Sequence, residues 1–513
     1  MNDVRIKTAL ISVSDKKGLV ELAKALSDLE VKIISTGGTL EALTKANIRA
    51  HGVSEVTGFP EILGGRVKTL HPLIHAGILF DRDNPDHVSQ MAEMGIEGID
   101  MVVVNLYPFA EVIARTGISR SEAIENIDIG GPTMIRAAAK NQSGVLVVVD
   151  PDDYPEVIAE LNRTSGHISL ETRQRFAAKV FKHTAGYDVV IASYFDEEGQ
   201  LFPDNLILNF KKVADLRYGE NPIQPATLYS QLGTSGGFFN NFEQLSGKEL
   251  SYNNVLDIHS AWRAVSDLRA PACVIVKHNN PCGAAIGSDE MEAFLKSLAC
   301  DPLSAFGGIV AVRKRIDAKL ATEITRTFFE GVIASEIDDE VLDILRTKEK
   351  LIVASISSEL QSDAEYRFVD GALLLQAADI GTVSREELEF VTDLKPTEGQ
   401  IDELLFAVAV CKHVKSNAIV ISSDFATVGI GAGQMSRVDS TKIAVMKAGD
   451  RSKGSVLASD AFFPFRDSID EAAKAGIVSI IQPGGSNRDA EVIEAANQHK
   501  ISMVFTGRRH FRH

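Results

Sequence analysis

The sequence predicts an α/β protein with more than one folded unit. Short apolar runs rich in β-branched residues alternate with segments whose apolar residues recur at helical spacing. This alternation is typical of a mainly parallel sheet with helices packed on its faces. At 513 residues the chain exceeds what one hydrophobic core usually supports, and the usual domain size suggests roughly three units.

The first part of the chain supplies four predicted strands, at residues 8–13, 31–34, 101–104 and 144–149. A helix follows the first strand, because apolar residues recur at helical spacing between Leu19 and Leu29, and a second helical stretch covers residues 169–185. Ligands of parallel sheets collect beyond the carboxyl ends of the strands. We therefore expect chemistry just after each predicted strand.

The second part begins near residue 200, where Gly and Pro occur among the acidic residues of segment 196–204. We place one domain at 1–200 and another at 201–513. Within the second domain, segments 272–287 and 417–431 both predict a strand, a polar loop and a glycine-containing strand or turn. Either an internal duplication or chance explains this echo, since the chain has 39 glycines.

Composition narrows the classes of function. The formal net charge of -17 argues against a nucleic-acid or anionic-membrane surface, because those partners need a positive field. The apolar runs are far shorter than the roughly 20 residues that span a bilayer, and the N-terminal charges at Asp3, Arg5 and Lys7 are unlike a signal peptide. We expect a cytoplasmic protein whose few cysteines, which lack close-spaced pairs, are reduced thiols.

Two hydroxyl-rich segments follow the first two strands, Ser12-Val-Ser-Asp-Lys16 and Ser35-Thr-Gly-Gly-Thr39, and each is expected to open a helix. Backbone N–H groups at a helix N-terminus suit a phosphate. Plain N-capping by Ser or Thr explains the same residues equally well.

A basic segment follows, Gly64-Gly-Arg66-Val-Lys68-Thr-Leu-His-Pro. An extended backbone would aim the side chains of Arg66 and Lys68 to one side, as two cations for one ligand. The alternative is a solvated basic turn.

Polar residues also surround the later strands of the first domain. Tyr107 follows the third strand, and Asp128 precedes a helix that has Pro132 in its first turn and Arg136 and Lys140 on one face. Asp128 is either functional or a loop carboxylate. Lys140 is either functional or a helix-end cation favoured by the dipole.

The second domain carries a Lys-His pair at a strand end, in Lys277-His278-Asn279-Asn280-Pro281. Such a pair can supply an electrophilic cation and a proton acceptor near neutral pH, although a lone His is more often structural. Other loops combine Gly, aromatic and Arg residues, which suit stacking on flat heterocycles and pairing with anions. Zinc-deaminase, Walker A and dinucleotide-binding spacings do not occur in the sequence.

These motifs, in this order across essentially the whole chain, resemble the bifunctional phosphoribosylaminoimidazolecarboxamide formyltransferase and inosine monophosphate (IMP) cyclohydrolase family. The resemblance implies an N-terminal domain similar to methylglyoxal synthase, with a core at about residues 1–148, followed by two cytidine-deaminase-like subdomains without zinc. It also implies a homodimer of a purine biosynthesis enzyme that uses 10-formyltetrahydrofolate and requires no metal.

By the same resemblance, the cyclohydrolase site binds its nucleotide through Ser14, Asp15, Ser35, Thr36, Gly37, Gly38, Arg66, Val67, Lys68, Thr69, Val104, Asn105 and Ile129. The implied reacting centre consists of Lys16, Tyr107, Asp128 and Lys140. Ring closure needs a carboxylate that accepts or orients the amide proton, and a cation or phenol that stabilises the oxyanion and helps water leave. Which cation performs which task stays open at this point.

In the transferase part, the resemblance carries over Lys277 and His278 as the catalytic pair. The weakly nucleophilic amine of aminoimidazole carboxamide ribonucleotide (AICAR) needs a base, which suits His278, and the leaving folate nitrogen needs a proton, which suits Lys277. The implied nucleotide contacts are Arg217, Tyr218, Gly307, Glu330, Asn417, Arg437, Phe462, Arg509 and His513, and the implied folate contacts are Val438, Ser486 and Asn487. Glu330 stands where some relatives carry Asp, which leaves the carboxylate geometry open.

Two other functions compete with this interpretation. In the first, the chain has a single activity and its N-terminal domain serves only to bind a phosphorylated regulator. A phosphate sensor needs cations but no carboxylate, so the presence of Asp128 argues against this function. The chain could also be a non-catalytic nucleotide-binding scaffold, in which Lys277 and His278 would be idle. Following folate release and ring closure separately distinguishes the three.

Overall fold

The structure, a computed structural model, describes residues 3–196, 201–232, 238–356 and 364–513. The chain divides into two compact units, Met1–Asn209 and Phe210–His513. The segment 196–204, which we predicted as a boundary, lies partly outside the described residues. None of the helices in the described ranges is both long and apolar enough to span a bilayer.

Unit 1 is built on a parallel sheet. Its strands are β1 (Val4–Arg5), β2 (Thr8–Val13), β3 (Lys32–Ser35), β4 (His51–Gly52), β5 (Met101–Asn105), β6 (Leu146–Val148) and β7 (His167–Ile168). Five of them form a sheet in the order β4-β3-β2-β5-β6, in which every neighbouring pair is parallel. The predicted parallel sheet and its four predicted strands are therefore confirmed, with bounds shifted by up to two residues.

The helices of unit 1 are α1 (Leu19–Asp28), α2 (Gly37–Lys45), α3 (Val53–Thr57), α4 (Pro72–Leu79), α5 (Pro85–Glu93), α6 (Phe109–Ile113), α7 (Arg120–Glu125), α8 (Gly130–Lys140), α9 (Tyr154–Arg163) and α10 (Leu170–Phe195). Helix α2 begins within the Ser35–Thr39 segment, as expected. Helix α1 does not open directly after Lys16, because Gly18 first turns the chain with a φ of 66°. The Ser12–Lys16 segment therefore ends in a loop.

Alternation along β2 explains why both faces of this sheet are covered. Ala9 and Ile11 belong to one buried cluster, together with α1 and α9. Leu10 belongs to another cluster, together with α4 and α8. Because successive side chains point to opposite faces, an uninterrupted apolar strand buries both of them.

Unit 2 contains strands β8 (Phe210–Leu216), β9 (Ala226–Gln231), β10 (Phe242–Ser246), β11 (Ala272–Lys277), β12 (Asn280–Ile286), β13 (Ile309–Arg315), β14 (Gly331–Glu336), β15 (Ile352–Ile356), β16 (Ala364–Val369), β17 (Ala372–Ala377), β18 (Glu389–Phe390), β19 (Ile419–Ser423), β20 (Ala426–Gly431), β21 (Val456–Ser459), β22 (Ser479–Gln482) and β23 (Ser502–Phe505). Its helices are α11 (Tyr252–Ser266), α12 (Glu290–Cys300), α13 (Pro302–Ala305), α14 (Ala318–Ile324), α15 (Asp339–Arg346), α16 (Glu398–Cys411), α17 (Arg437–Ala448), α18 (Asp467–Lys474) and α19 (Asp489–Gln498).

The main sheet of unit 2 has two halves with mirrored strand order. Over the described residues it runs β10-β15-β14-β13-β11-β12-β20-β19-β21-β22-β23-β18. Each half has a hairpin (β11–β12 or β19–β20), three parallel strands and an antiparallel edge strand, and the halves join where β12 pairs with β20. A helix precedes each hairpin, α11 in the first half and α16 in the second. The sequence echo therefore corresponds to a structural duplication.

The two hairpins repeat one another in detail. His278 and Asn279 form the first turn at φ values of 52° and 63°, and Asp424 and Phe425 form the second at 53° and 52°. Two central residues with positive φ are the signature of a tight hairpin turn that matches the twist of the strands. The Lys-His pair thus lies on a turn whose shape the fold uses twice.

Glycines let the second strand of each hairpin lie against a helix. A Cβ on Gly283 would lie 1.9 Å from the carbonyl oxygen of Ser297, and a Cβ on Gly429 would lie 2.1 Å from that of Ala444. No other residue fits these close backbone contacts.

Candidate functional site

In unit 1 the loop after β2 meets the loop after β5. The Ser14 hydroxyl donates to the Leu106 carbonyl oxygen at 2.8 Å, and the Asp15 amide donates to Asn105 Oδ1 at 3.1 Å. The two strands are parallel neighbours, with Val13 opposite Asn105, so their carboxyl ends meet at one edge. The structure thus brings Ser14, Asp15, Asn105 and, two residues later, Tyr107 to one edge of the sheet.

Lys16 is held at this edge by its ammonium group. Nζ donates to the Val13 carbonyl oxygen and lies 3.3 Å from Thr39 Oγ1. Burial lowers the pKa of Lys16, while the neighbouring Asp15 carboxylate opposes the shift. A Lys with a lowered pKa gives up a proton more readily near neutral pH.

At the start of α2, backbone amides rather than side-chain hydroxyls are available to bind a ligand. The Ser35 hydroxyl is buried and donates to the Ile11 carbonyl oxygen at 2.9 Å, and Thr36 Oγ1 lies 2.7 Å from Ser12 Oγ. Thr36, the N-cap residue, makes no side-chain capping bond to the helix. Space around Gly37 and Gly38 is open. These observations favour the phosphate interpretation over plain N-capping.

The basic segment forms a turn at the surface of unit 1. Leu63–Gly65 forms a tight turn with Gly64 at a φ of 65°, and Arg66 takes helical angles of -63° and -28°. Of the two interpretations, the structure therefore fits the basic turn and not the extended backbone, because the glycines turn the chain. Arg66 pairs with Glu125 at the surface, with Nε 3.1 Å from Oε1.

Asp128 is an acid of unit 1's candidate site whose pKa is shifted by its surroundings. Its Oδ1 accepts a hydrogen bond from the Gly131 amide at 2.8 Å, and its own amide donates to the Tyr187 hydroxyl at 2.8 Å. Burial raises the pKa of Asp128, opposed by backbone hydrogen bonds from Gly131 and Tyr107 and by the charge of Lys68. Asp128, Tyr107 and Lys68 are therefore neighbours.

Four further predicted contacts of unit 1 differ in how exposed they are and in what they contact. Thr69 is buried, and a Cβ on Gly130 would lie 2.8 Å from its Oγ1. Ile129 is 60% exposed, whereas Val104 is buried at the end of β5. Val67 makes a bridge to Ile62.

The structure does not bring Lys140 to Asp128. Lys140 is the last residue of α8 and Asp128 precedes its first, so the helix rise puts about 15 Å between them along the axis. Lys140 is exposed, as is Arg136, whose guanidinium lies 5.5 Å from the centre of the Phe181 ring. This placement matches the helix-end cation that the sequence left as an alternative.

In unit 2 the Lys-His pair lines a cavity. A space of about 440 Å³ is bordered by Lys277, His278, Asn280, Pro281, Cys282, Ser304, Ile430, Ala432, Gln434, Ile443 and Lys447. Both halves of the duplicated sheet contribute to it. The Lys277 ammonium donates to the Phe306 carbonyl oxygen and would lie 3.5 Å from a Cβ on Gly307. The structure thus brings Lys277, His278 and Gly307 together.

Arg437 is buried and already paired. Its guanidinium bonds the Asp460 carboxylate, Ser459 Oγ at 2.7 Å and Asn417 Oδ1 at 2.8 Å. Arg437 therefore orients Asn417, which leaves the Asn417 carbonyl and amide fixed in place.

Most of the other predicted contacts of unit 2 lie in loops, and one lies at the start of a helix. The Arg217 guanidinium lies 4.7 Å from the centre of the Tyr218 ring, and Arg509 lies 4.3 Å from that of Phe511, which in turn contacts His513. Phe462 is 36% exposed. Val438 lies in the first turn of α17, and Ser486 and Asn487 lie between β22 and α19.

Sequence reasoning missed several residues of these sites. Lys248 pairs with Glu330, and the Phe328 ring lies 5.2 Å from that of Phe306. Tyr187 holds the Asp128 backbone from α10, and Asp257 accepts a hydrogen bond from the Asn279 amide at 2.7 Å. Each lies far along the chain from its partner, so no local motif marks it.

Among the described residues, no group of three or more His, Cys, Asp and Glu side chains is placed to hold a metal ion. All four cysteines are buried and unpaired. Burial raises the pKa of Cys273 to about 12, as expected for an unreactive thiol.

Comparison with known proteins covers nearly the whole chain. Residues 18–133 match the model of an MGS-like domain, and residues 138–447 match that of the AICARFT/IMPCHase bienzyme. A bifunctional purine biosynthesis protein PurH from Ruminiclostridium cellulolyticum is 48% identical over 514 residues, and one from Acetivibrio thermocellus is 50% identical over 514 residues. Both alignments cover 99% of this chain and 100% of the relative.

A solved structure described as ForH is 34% identical and covers 37% of this chain and 100% of its own, with a TM-score of 0.35. The family rests instead on the matched model and on the full-length relatives. The MGS-like match also confirms the predicted likeness of unit 1 to methylglyoxal synthase. The chain belongs to the AICARFT/IMPCHase bienzymes, the bifunctional purine biosynthesis enzymes that combine a formyltransferase with an IMP cyclohydrolase.

Proposed function

We propose that unit 2 transfers the formyl group, with Lys277 and His278 as its catalytic pair, and that unit 1 closes the purine ring around Asp128. The donor is 10-formyltetrahydrofolate, and no metal takes part. The supporting observation is that the Lys-His turn opens into the 440 Å³ cavity of unit 2, whereas the perturbed carboxylate lies at the strand edge of unit 1.

Formyl transfer needs a proton acceptor and a proton donor on opposite sides of one carbon. The AICAR amine is a weak nucleophile, because its lone pair is delocalised into the ring. His278 therefore accepts a proton from the amine as the amine nitrogen attacks the formyl carbon. The Lys277 ammonium stabilises the tetrahedral oxyanion and donates a proton to the departing folate nitrogen. Their adjacency on one tight turn fixes their spacing.

Ring closure places the carboxamide nitrogen against the formyl carbon of the same molecule. Asp128 orients or accepts the amide proton, and its pKa, raised by burial, makes it a stronger base than an ordinary aspartate. Lys68, Tyr107 and Lys16 stabilise the oxyanion and assist the loss of water, since they share this edge of the sheet with Asp128. The nucleotide phosphate binds the Gly37 and Gly38 amides at the start of α2.

The remaining assignments concern the nucleotide and folate contacts and the assembly. AICAR binds between Glu330 and Asn417 in unit 2, and the folate lies toward Ser486 and Asn487. The working form is a cytoplasmic homodimer. Analytical ultracentrifugation tests the dimer, and formyl transfer after exhaustive chelation tests metal independence, which zinc-restored activity would contradict.

The decisive experiment supplies AICAR and 10-formyltetrahydrofolate together and follows folate release and IMP separately. His278→Ala should lower formyl transfer by about 10²–10⁴-fold, the usual cost of losing a general base. Ring closure of pre-formylated nucleotide by the same variant should be unchanged. Equal loss of both activities in a well-folded variant would favour one shared site, and folate release without any ring closure by the wild-type chain would make unit 1 a regulatory module.

A further inference from the structure

The catalytic turn is held from beneath by one face of α11. The Asn279 amide donates to Asp257 Oδ1 at 2.7 Å, and the Ser260 hydroxyl lies 3.0 Å from Asn279 Oδ1. Asp257 and Ser260 are three residues apart, so they lie on the same side of the helix. The left-handed backbone of His278 and Asn279 is therefore anchored by a carboxylate from outside the hairpin.

The second half of the sheet repeats this anchor. Glu403 on α16 accepts the amide of Phe425, the second residue of the other turn, at 2.9 Å. Asp257 and Glu403 occupy the same position in their helices, counted from the N-cap residues Ser251 and Thr397. A carboxylate bonded to the turn is thus part of the repeated fold.

The charges around the two carboxylates differ. Burial raises the pKa of Asp257, and the charges of His278 and Lys277 are among the effects that oppose this rise. Burial also raises the pKa of Glu403, and there the neighbouring Asp424 adds to the rise, with Lys296 opposing it. Only the first-half carboxylate has both a Lys and a His on the turn that it anchors.

We propose that Asp257 is a positioning residue of the formyl-transfer site, which fixes the turn and whose negative charge stabilises the imidazolium that forms when His278 takes the proton of the amine. This proposal rests on the assignment of His278 as the base. In both halves of the sheet a carboxylate accepts a hydrogen bond from a backbone amide of the turn. Only in the first half does that carboxylate also place a negative charge beside a titrating imidazole.

Three variants separate the effect of the hydrogen bond between Asp257 and the Asn279 amide from the effect of the negative charge of Asp257. Asp257→Asn keeps an oxygen that can accept the Asn279 amide and removes the charge, while Asp257→Glu keeps the charge, and the other half already uses Glu at this position. Glu403→Gln is the matched control, because it makes the same change beneath a turn without Lys or His. For each variant, kcat and KM of formyl transfer, ring closure and the melting temperature are measured.

We expect Asp257→Asn to lower the kcat of formyl transfer by about ten- to a hundredfold, the cost typical of a misplaced or unsupported catalytic group. Its KM values and its ring closure should stay at the wild-type level. Asp257→Glu should recover most of the lost kcat, and Glu403→Gln should transfer formyl groups as the wild type does.

Two results would overturn the proposal. One is wild-type kcat in a folded Asp257→Asn variant, and the other is an equal loss of kcat in Asp257→Asn and Glu403→Gln, which would make the bond purely structural. The assignment of His278 fails separately, if His278→Ala retains formyl transfer.

Discussion

At the scale of single residues, Asp128 shows how local structure prepares an acid for proton transfer. A Cβ on Gly131 would lie 2.5 Å from Asp128 Oδ2, so glycine at that position lets the carboxylate fold over the start of α8. The residue is half-buried, and this partial removal from water raises the pKa of the carboxyl group. The same loop thus sets both the position and the acidity of the group.

A pH profile tests this role. If ring closure requires ionised Asp128, its rate falls as pH drops through a pKa that lies above the ordinary aspartate value, since burial raises the pKa. We expect Asp128→Asn to lower ring closure by about 10²–10⁴-fold at neutral pH and to abolish that acid limb. Assays on pre-formylated nucleotide across pH measure both effects.

Lys140→Ala is the control for that measurement. Because Lys140 lies at the other end of α8, its loss should change ring closure much less than Asp128→Asn does. Equal losses in the two variants would show that Lys140 reaches the reacting centre after all.

A site residue can be predicted from the sequence when the pattern that marks it lies next to it in the chain. Lys277 and His278 follow an apolar strand directly, and strand ends in such sheets are where ligands bind. Asp257 carries no such mark, because its partner Asn279 is distant in the chain and only the packed fold joins them. For Arg66 the sequence left both an extended segment and a basic turn open, because the left-handed geometry of Gly64 is not encoded by a pattern of side chains.

At the scale of helices and strands, burial explains which bounds the sequence could predict. Strand β2 was predicted over its full length, since nearly every residue in it is buried. Strands β1 and β4 are two residues long, too short for any period to show. Helix α10 continues to Phe195, ten residues past its predicted end at 185, because its buried residues end at Thr184 and the apolar period fades beyond it.

The close contact of β20 with α17 gives an element-scale prediction. Gly429→Ala would place a methyl group 2.1 Å from a backbone oxygen, so the strand or the helix must shift. We expect the free energy of unfolding of unit 2 to fall by about 1–3 kcal/mol. Gly399→Ala in α16, where a Cβ meets nothing within 4 Å, should leave stability unchanged or slightly higher. Calorimetry of both variants makes the comparison, and equal melting temperatures would contradict it.

At the scale of the whole molecule, an ion pair joins the two halves of unit 2. Asp267, after α11, accepts from Lys412 Nζ at 2.9 Å and lies 2.7 Å from His413 Nε2, both after α16. Burial would raise the pKa of Asp267, but the hydrogen bonds and charges of His413 and Lys412 lower it to about 2. The halves are therefore linked by charge as well as by the β12–β20 ladder.

Acid titration tests this link. Because the folded-state pKa of Asp267 is lower than the unfolded one, its contribution to stability is complete above about pH 4 and is lost as pH falls toward 2. We expect Asp267→Asn to destabilise unit 2 by about 2 kcal/mol at neutral pH and by progressively less on acidification. Denaturant unfolding at several pH values measures the difference, and a gap that did not narrow in acid would contradict the assignment.

The position of that ion pair has a consequence for the symmetry of the duplicated sheet. Asp267 and His413 are equivalent residues of the two halves, each at the same distance along the chain after its N-cap and before its hairpin turn. Equivalent residues that touch lie on the rotation axis, where two identical subunits would have to present the same side chain to each other. An acid would then face an acid, or an imidazole an imidazole. A covalent tandem is free to differ at the axis, so one half supplies the Asp267 carboxylate there and the other supplies the His413 imidazole, whose pKa burial lowers to about 4.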